Sequence, residues 1–141
     1  MRIVEIEKRT SILIKQLLKI WESSVRETHL FLSDNEIKRI ADYVPLALNN
    51  INHLVIVEDD NYQPVAFMGI EKERLEMLFV APHEMKKGLG KSLIQFGIKN
   101  YQLKELTVNE QNPQAKGFYE HLGFKTFGVV EKAPFHLKQY C

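Results

Sequence analysis

A short basic stretch that carries two glycines has the residue types that most clearly suggest chemistry. Gly88 and Gly90 follow an apolar run at 75–80 and precede a helical pattern that extends to Tyr101. A strand that ends in such a loop and opens a helix turns several backbone N–H groups toward one point, where the positive end of the helix dipole attracts an anion. The stretch therefore predicts a phosphate-binding loop. Three lysines add positive charge to it: Lys86, Lys87 and Lys91.

A second segment combines a helix start with two aromatic side chains. Asn112 can cap a helix whose first position suits Pro113, and Gly123 is well placed to end it. This helix carries Phe118 and Tyr119. The strands that precede the two segments are expected to be parallel neighbours that diverge, and ligands bind at the C-terminal ends of such strands. Both segments are therefore expected at one cleft.

Periodicity predicts the elements that must hold these segments. A strand at 3–6 is followed by an amphipathic helix with one apolar face. A capping box formed by Ser33 and Glu36 starts a second helix. That helix is expected to run through Val44, with a disturbance at Pro45.

From residue 53 onward the apolar period becomes that of strands. Because a helix connects the strands at 75–80 and 106–108, these two should be parallel. The predicted fold is α/β (α+β): a mixed, mostly antiparallel central sheet with a splayed parallel pair and helices on both faces. Its order is β-α-α-β-β-β-α-β-α-β-β. The predicted strands after residue 53 are 54–58, 64–70, 75–80, 106–108, 124–130 and 135–140.

Length, charge and composition exclude several classes of protein. The 141 residues fit a single domain, 1–141. A formal charge of +1 gives no case for a nucleic-acid or membrane partner. Cys141 is the single cysteine and the five histidines lack metal-ligand spacing, so we expect neither an internal disulfide nor a metal. No signal peptide or membrane-spanning run is apparent, and a cytoplasmic location is predicted.

Two motifs resemble the signature of the GNAT superfamily of N-acetyltransferases. Residues 78–82 read Leu-Phe-Val-Ala-Pro and residues 85–90 read Met-Lys-Lys-Gly-Leu-Gly, similar to the family's strand and its Arg/Gln-x-x-Gly-x-Gly/Ala loop. Residues 112–124 match the family's later pattern, Asn-x-x-Ala-x-x-Phe-Tyr-x-x-x-Gly-Phe. Segments 21–33 and 108–112 also look like those of the YjaB-type bacterial branch. The resemblance covers nearly the whole chain in family order.

The resemblance implies acetyl-CoA as the donor of an acetyl group. Backbone N–H groups from Lys86 to Ser92 would bind its pyrophosphate, and pantetheine would run along Phe79 and Val80. A backbone N–H in the splay would hold the thioester carbonyl oxygen. Met85 stands where the family has Arg or Gln. The implied donor-binding residues are Leu78, Phe79, Val80, Met85, Lys86, Lys87, Gly88, Leu89, Gly90, Lys91, Ser92, Asn112 and Phe118.

The resemblance also implies a general acid and leaves the base open. Tyr119 matches the family tyrosine that protonates the departing thiolate, and a phenol with a pKa of about 10 is protonated at neutral pH. Some family members use a glutamate as base at the position that is Arg74 here. Glu76, Glu73 and His29 are alternative bases. A water relay, or an acceptor amine that is already neutral, would need no base.

The segment at 21–32 corresponds in the family to the wall of the acceptor site. The acceptor is expected to be a small-molecule or peptide amine. It would attack the acetyl group directly in a ternary complex with acetyl-CoA. A monomer or a homodimer is possible, with the strand at 134–140 as a candidate dimer edge. Because Met85 and Arg74 depart from the family pattern, the alternative function is a non-catalytic module that senses acyl-CoA. The implied acceptor-binding residues are Trp21, Thr28, His29 and Phe31.

Overall fold

A seven-stranded sheet organises the chain, and the computed structural model describes residues 1–108, 112–130 and 133–139. Residues 109–111, in a segment compared with the YjaB-type branch, lie outside the described residues, as does Cys141. The helices and strands are β1 (Arg2–Glu5), α1 (Ser11–Thr28), α2 (Asp34–Ala41), α3 (Val44–Asn50), β2 (His53–Glu58), β3 (Pro64–Glu71), β4 (Arg74–Val80), a 3-10 turn (Pro82–Glu84), α4 (Leu89–Tyr101), β5 (Glu105–Val108), α5 (Pro113–His121), β6 (Phe124–Val130) and β7 (Ala133–Gln139).

The sheet has the strand order β1-β2-β3-β4-β5-β7-β6. Its neighbouring strands are antiparallel except for β4 and β5, which are parallel. These two strands pair only at Arg74 with Glu105 and at Leu75 with Leu106, so they diverge beyond Leu75. The predicted mixed sheet and its splayed parallel pair are thus confirmed.

Alternating apolar residues give the sheet two buried faces. In β2, Leu54 and Ile56 belong to the core under α1, α2 and α3, whereas Val55 and Val57 belong to the core under α4 and α5. Helices therefore cover both faces, as predicted. The sheet is therefore packed against apolar side chains on both faces.

The predicted second helix is wrong in one respect, because it is two helices. The capping box forms, with both hydrogen bonds between Ser33 and Glu36 present, but α2 ends at Ala41. A new helix, α3, begins at Val44 with Pro45 in its first turn. Proline has no N–H to donate and its ring clashes with the carbonyl group four residues earlier, so a continuous helix cannot pass this point.

The predicted dimer edge at 134–140 is also wrong. Strand β7 lies between β5 and β6 and pairs with both, so its main chain is not an open edge. Strand β6 takes the outer position. In the part of the chain that the structure describes, no helix is both long and apolar enough to cross a membrane.

Candidate active site

An extra residue in β4 shapes the cleft where β4 and β5 diverge. Leu75 and Met77 face consecutive residues of β3, so Glu76 between them forms a β-bulge. The bulge shifts by one residue the alternation of β4 side chains between the two faces of the sheet. Leu75 and Leu78 therefore face the core under α4 and α5, while Met77 and Phe79 face the core under α1. The backbone edge of β4 beyond Leu75 is not paired with β5.

Two adjoining cavities fill this cleft. The larger, of about 540 Å³, extends from the splay to the start of α4, and the smaller, of about 190 Å³, lies between β4 and β5. Six residues line both: His29, Leu78, Phe79, Asn112, Ala115 and Tyr119. The larger cavity is also lined by Ser24, Thr28, Val80, Glu84, Met85, Lys86, Gly88, Leu89, Gly90, Lys91, Gln114 and Phe118. The smaller is also lined by Leu75, Glu76, Met77, Leu106, Thr107 and Val108.

The start of α4 has no side-chain cap. Gly88 precedes the helix with a φ of 80° and provides no side-chain cap. The N–H groups of the first helical turn have no carbonyl partner within the helix, so they remain available at the cavity. The Ser92 N–H, which we expected among these donors, instead donates to the Gly88 carbonyl oxygen at 3.0 Å. The Ser92 N–H is therefore already paired within the first turn of the helix.

Gly90 has a packing role that the sequence did not indicate. A Cβ at this position would come within 3.3 Å of the Phe118 ring and 3.9 Å of Leu78. Phe118 therefore rests directly against the backbone of α4, which brings α5 up to the loop. Because Gly90 has no side chain, α4 and α5 can approach each other closely at the cleft.

The three lysines of the loop differ in their surroundings. Lys86 and Lys91 line the larger cavity. Lys87 instead forms an ion pair of 2.8 Å with Glu84, whose side chain is almost buried. Sequence reasoning missed Glu84, although its spacing of three residues from Lys87 is compatible with such a pair. The charge of Lys87 is therefore partly neutralised by Glu84.

Tyr119 lies where the two cavities meet. Its ring packs edge-to-face on Phe118 and Phe124, with centroid distances of 5.0 and 6.0 Å. The Asn112 side chain accepts a hydrogen bond from the N–H of Ala115 and so fixes the start of the helix that carries Tyr119. Burial raises the pKa of Tyr119 above its ordinary value. The phenol is therefore protonated at neutral pH and can serve as a proton donor.

The candidate bases on and beside β4 are engaged in ion pairs. Arg74 Nε lies 3.1 Å from a Glu76 oxygen, and the Arg74 guanidinium also donates to the Thr107 hydroxyl. Glu73 pairs with Lys104 at 2.9 Å and lines neither of the two cavities. Glu76 lines only the smaller one. Arg74 therefore pairs with Glu76, which could otherwise have served as the base in place of the family's glutamate.

The predicted acceptor wall is only partly at the cleft. Thr28 and His29 line the larger cavity. Trp21 is 5% exposed and packs edge-to-face on Phe79 within the core, so its predicted contact with the acceptor is not supported. Phe31 packs beside the His29 ring, with a centroid distance of 5.4 Å, and is not among the residues that line the two cavities.

The fold and the cleft agree with the family comparison. The family model described as "Acetyltransferase (GNAT) domain" matches residues 18–133. The chain belongs to the GNAT family of acetyltransferases. Within the residues that the structure describes, no group of three or more His, Cys, Asp or Glu side chains could hold a metal ion.

Similar curated proteins include peptidyl-lysine N-acetyltransferases. The chain is 36% identical over 121 residues to YjaB of Salmonella typhimurium, covering 83% of this chain and 80% of the relative. It is 35% identical over 117 residues to YjaB of Escherichia coli, covering 83% and 79%. It is also 31% identical over 113 residues to YiaC of Escherichia coli, covering 77% and 74%. The resemblance to the YjaB-type branch is confirmed.

Solved structures support the same fold. The solution structure of apo-form YjaB from Escherichia coli matches with a TM-score of 0.81 and 32% identity, covering 98% of this chain and 95% of that chain. The crystal structure of PaiA N-acetyltransferase from Thermoplasma acidophilum in complex with coenzyme A matches with a TM-score of 0.74, covering 100% of both chains. At 20% identity the second likeness shows the fold alone.

Proposed function

We propose that this protein transfers the acetyl group of acetyl-CoA to a primary amine, by direct attack in a ternary complex. The observation that carries the proposal is the position of Tyr119, which lines both cavities next to an uncapped helix start. A helix start that suits an anion and a protonated phenol line the same cavity, and this pair suits a donor that has an anionic group and a reactive thioester. A non-catalytic sensor of acyl-CoA would have no use for that phenol.

The lining of the larger cavity supports acetyl-CoA as the donor. Its pyrophosphate would accept hydrogen bonds from the first turn of α4, with Lys86 and Lys91 adding charge. Its pantetheine arm carries amide groups, which would pair with the free backbone edge of β4 beyond Leu75 in the manner of an added strand. Met85, which lines this cavity, would offer backbone and apolar contact in place of the family's Arg or Gln.

The chemistry at the splay requires a polarised carbonyl and a proton for the sulfur. A backbone N–H of the bulged part of β4 would stabilise the negative charge that develops on the thioester oxygen. The acceptor nitrogen forms a C–N bond as the C–S bond breaks. The Tyr119 hydroxyl gives its proton to the departing sulfur, and the nitrogen, which is positively charged after attack, returns a proton to Tyr119.

For the acceptor, we propose a lysine side chain in a peptide or protein. The relatives named peptidyl-lysine N-acetyltransferases support this choice, because they cover most of the chain at 31–36% identity. The smaller cavity between β4 and β5 gives an acceptor amine a place next to Tyr119. If CoA is released with small amines and not with the peptide, the acceptor is a small-molecule amine.

The proposal is tested with calorimetry and an assay of CoA release from acetyl-CoA, using a lysine-containing peptide with blocked ends and a panel of small amines. Wild-type protein should bind acetyl-CoA and release CoA in the presence of the peptide. Gly88→Glu should abolish binding, because its carboxylate repels the pyrophosphate. Gly88→Ala is the matched control, since it carries the same backbone strain at φ 80° without the charge, and should bind with reduced affinity. Equal binding by Gly88→Glu and wild type would reject the anion site.

A further inference from the structure

His29 lies at the junction of the two cavities, at the C-terminal end of α1. Its backbone N–H donates to the Val25 carbonyl oxygen at 2.8 Å and so fixes its main chain. Its ring packs beside Phe31 and Phe79, with centroid distances of 5.4 and 6.5 Å. Among the described residues that line both cavities, only His29 and Tyr119 carry an ionisable side chain. An imidazole and a phenol therefore share the point where the cavities meet.

Two hydrogen bonds at Thr28 decide which nitrogen of the His29 ring carries a proton. Thr28 Oγ1 donates to the Ser24 carbonyl oxygen at 2.8 Å and lies 2.8 Å from His29 Nδ1. A carbonyl oxygen can only accept, and a hydroxyl has a single proton. Both bonds can therefore exist together only when His29 Nδ1–H donates to Thr28. In the neutral ring, Nε2 then carries the lone pair.

The His29 ring is neutral at the pH where the protein would work. Burial lowers the pKa of His29 below its ordinary value of 6.5, since the charged form loses hydration. When Nε2 takes a proton, Nδ1–H remains a donor. The hydrogen bond to Thr28 is therefore compatible with both charge states, and the ring need not turn during proton transfer.

Other charged or titratable side chains also face the two cavities. Tyr119 is protonated, and Glu76 is paired with Arg74 at 3.1 Å. Glu84 is paired with Lys87 at 2.8 Å. Tyr119 lines both cavities but its protonated phenol is not a base, and Glu76 and Glu84 each line only one of the two cavities. Among the residues that the structure describes, the charged or titratable side chains that line these cavities together with His29 are Glu76 on β4, Glu84 on the 3-10 turn, Lys86 and Lys91 at the start of α4, and Tyr119 on α5.

We propose that His29 Nε2 takes the proton from the acceptor's ammonium group, and that Thr28, held by the Ser24 carbonyl, is the positioning residue that sets the tautomer. The inference rests on the proposed function. One proton passes from R–NH3+ to Nε2, which leaves R–NH2 with the lone pair that forms the C–N bond. The nitrogen's second proton goes to Tyr119, as above, and the proton on Nε2 is released to solvent.

The base role is tested by the pH dependence of kcat/KM for CoA release with the blocked lysine peptide. At neutral pH, His29→Gln should lower kcat/KM by about 10²- to 10³-fold, because the acceptor then reacts only through its small neutral fraction. Its activity should rise about tenfold per pH unit toward the lysine pKa, and the ionisation of His29 should be missing from the profile. Its affinity for CoA should stay within about twofold of wild type by calorimetry. An unchanged pH profile in His29→Gln would overturn the inference.

The positioning role is tested with a matched pair of variants at Thr28. Thr28→Val removes the hydroxyl at nearly the same volume and should lower kcat/KM about tenfold, whereas Thr28→Ser should restore it. Nitrogen-15 NMR of the His29 ring should show Nδ1–H in wild type and Thr28→Ser, with the preference lost in Thr28→Val. An Nε2–H tautomer in wild type would overturn the positioning role.

These measurements separate the two failures. If the wild-type protein binds acetyl-CoA and releases no CoA with any amine, the proposed function is wrong and the inference is wrong with it. If the wild type is active and His29→Gln keeps its rate and pH profile, only the base assignment is wrong.

Discussion

At the scale of the residue, Tyr119 is the side chain whose change best separates chemistry from binding. Tyr119→Phe keeps the ring that packs on Phe118 and Phe124 and removes only the proton donor. Turnover of acetyl-CoA with a good acceptor should fall about 10- to 10³-fold, while calorimetry should give nearly the wild-type affinity for CoA.

The matched control for that change is Tyr62→Phe. Tyr62 is 66% exposed and its ring lies under the Arg2 guanidinium, so the same atom is lost away from the cleft. Its turnover should equal that of wild type. Wild-type turnover in Tyr119→Phe would mean that Tyr119 is not the acid.

The positions of single residues were predictable where a motif fixed both their type and their spacing. Gly88, Asn112 and Tyr119 are at the cleft for this reason. Glu84 was missed because its role depends on burial beside Lys87, which spacing alone does not reveal. Ser24 was missed as well, because its contribution to the site comes from a backbone carbonyl that every residue has.

At the scale of the element, the starts of two helices were predictable, whereas the end of α2 and a strand irregularity were not. Side-chain caps at Ser33 and Asn112 form where the sequence indicated, because each satisfies N–H groups that the helix leaves open. The bulge at Glu76 could not be foreseen. In the apolar run at 75–80, one extra residue changes which side chains face each core without altering the composition of the strand.

Two helical glycines provide a test of packing at the element scale. Replacing a glycine in a helix by alanine gains about 0.5–1 kcal/mol when the new methyl group has space. A Cβ at Gly117 in α5 meets nothing within 4 Å, whereas one at Gly97 in α4 would lie 2.9 Å from Ile70 and 3.3 Å from Leu103. Gly117→Ala should therefore stabilise the protein by about 0.5–1 kcal/mol, and Gly97→Ala should destabilise it by roughly 1 kcal/mol net.

Urea unfolding of both glycine variants measures the difference directly. The gain in helix propensity is common to the two changes, so their difference reports the cost of overpacking α4 on β3. An equal gain in both variants would show that α4 can move away from the sheet at little cost.

At the scale of the whole molecule, the cleft depends on the order of the strands. Its walls come from the end of α1, from β4, from the start of α4 and from α5, which are far apart in sequence. The crossover from β4 through α4 to β5 brings β4, α4 and β5 together, and the rule for such a crossover predicted the parallel pair correctly. The placement of β7 between β5 and β6 was not predictable, since an antiparallel hairpin can add to a sheet in either order.

The stability of the whole molecule should fall in acid in two separate steps. Burial lowers the pKa of His29 below 6.5, so below that pH the unfolded chain binds a proton that the native ring takes up less readily. Stability present above pH 6.5 is therefore lost as pH falls toward the native pKa of His29. A second loss follows below pH 4.5, because hydrogen bonds from His53 and Tyr101 lower the pKa of Glu5. The same reasoning applies to Asp34 and Glu36, whose pKa values are also lowered by hydrogen bonds.

Urea unfolding as a function of pH distinguishes the two steps. His29→Gln should remove most of the decline just below pH 6.5 and keep the decline below pH 4.5, since glutamine has no proton to gain. Glu5→Gln should do the opposite and reduce only the lower step. Because the two groups lie on different elements, α1 and β1, the effects of the two changes should add in the double variant. If His29→Gln keeps the loss of stability just below pH 6.5, the native His29 ring takes up a proton as readily as it does in the unfolded chain. That result would also remove the electrostatic support for the role of His29 as a neutral base.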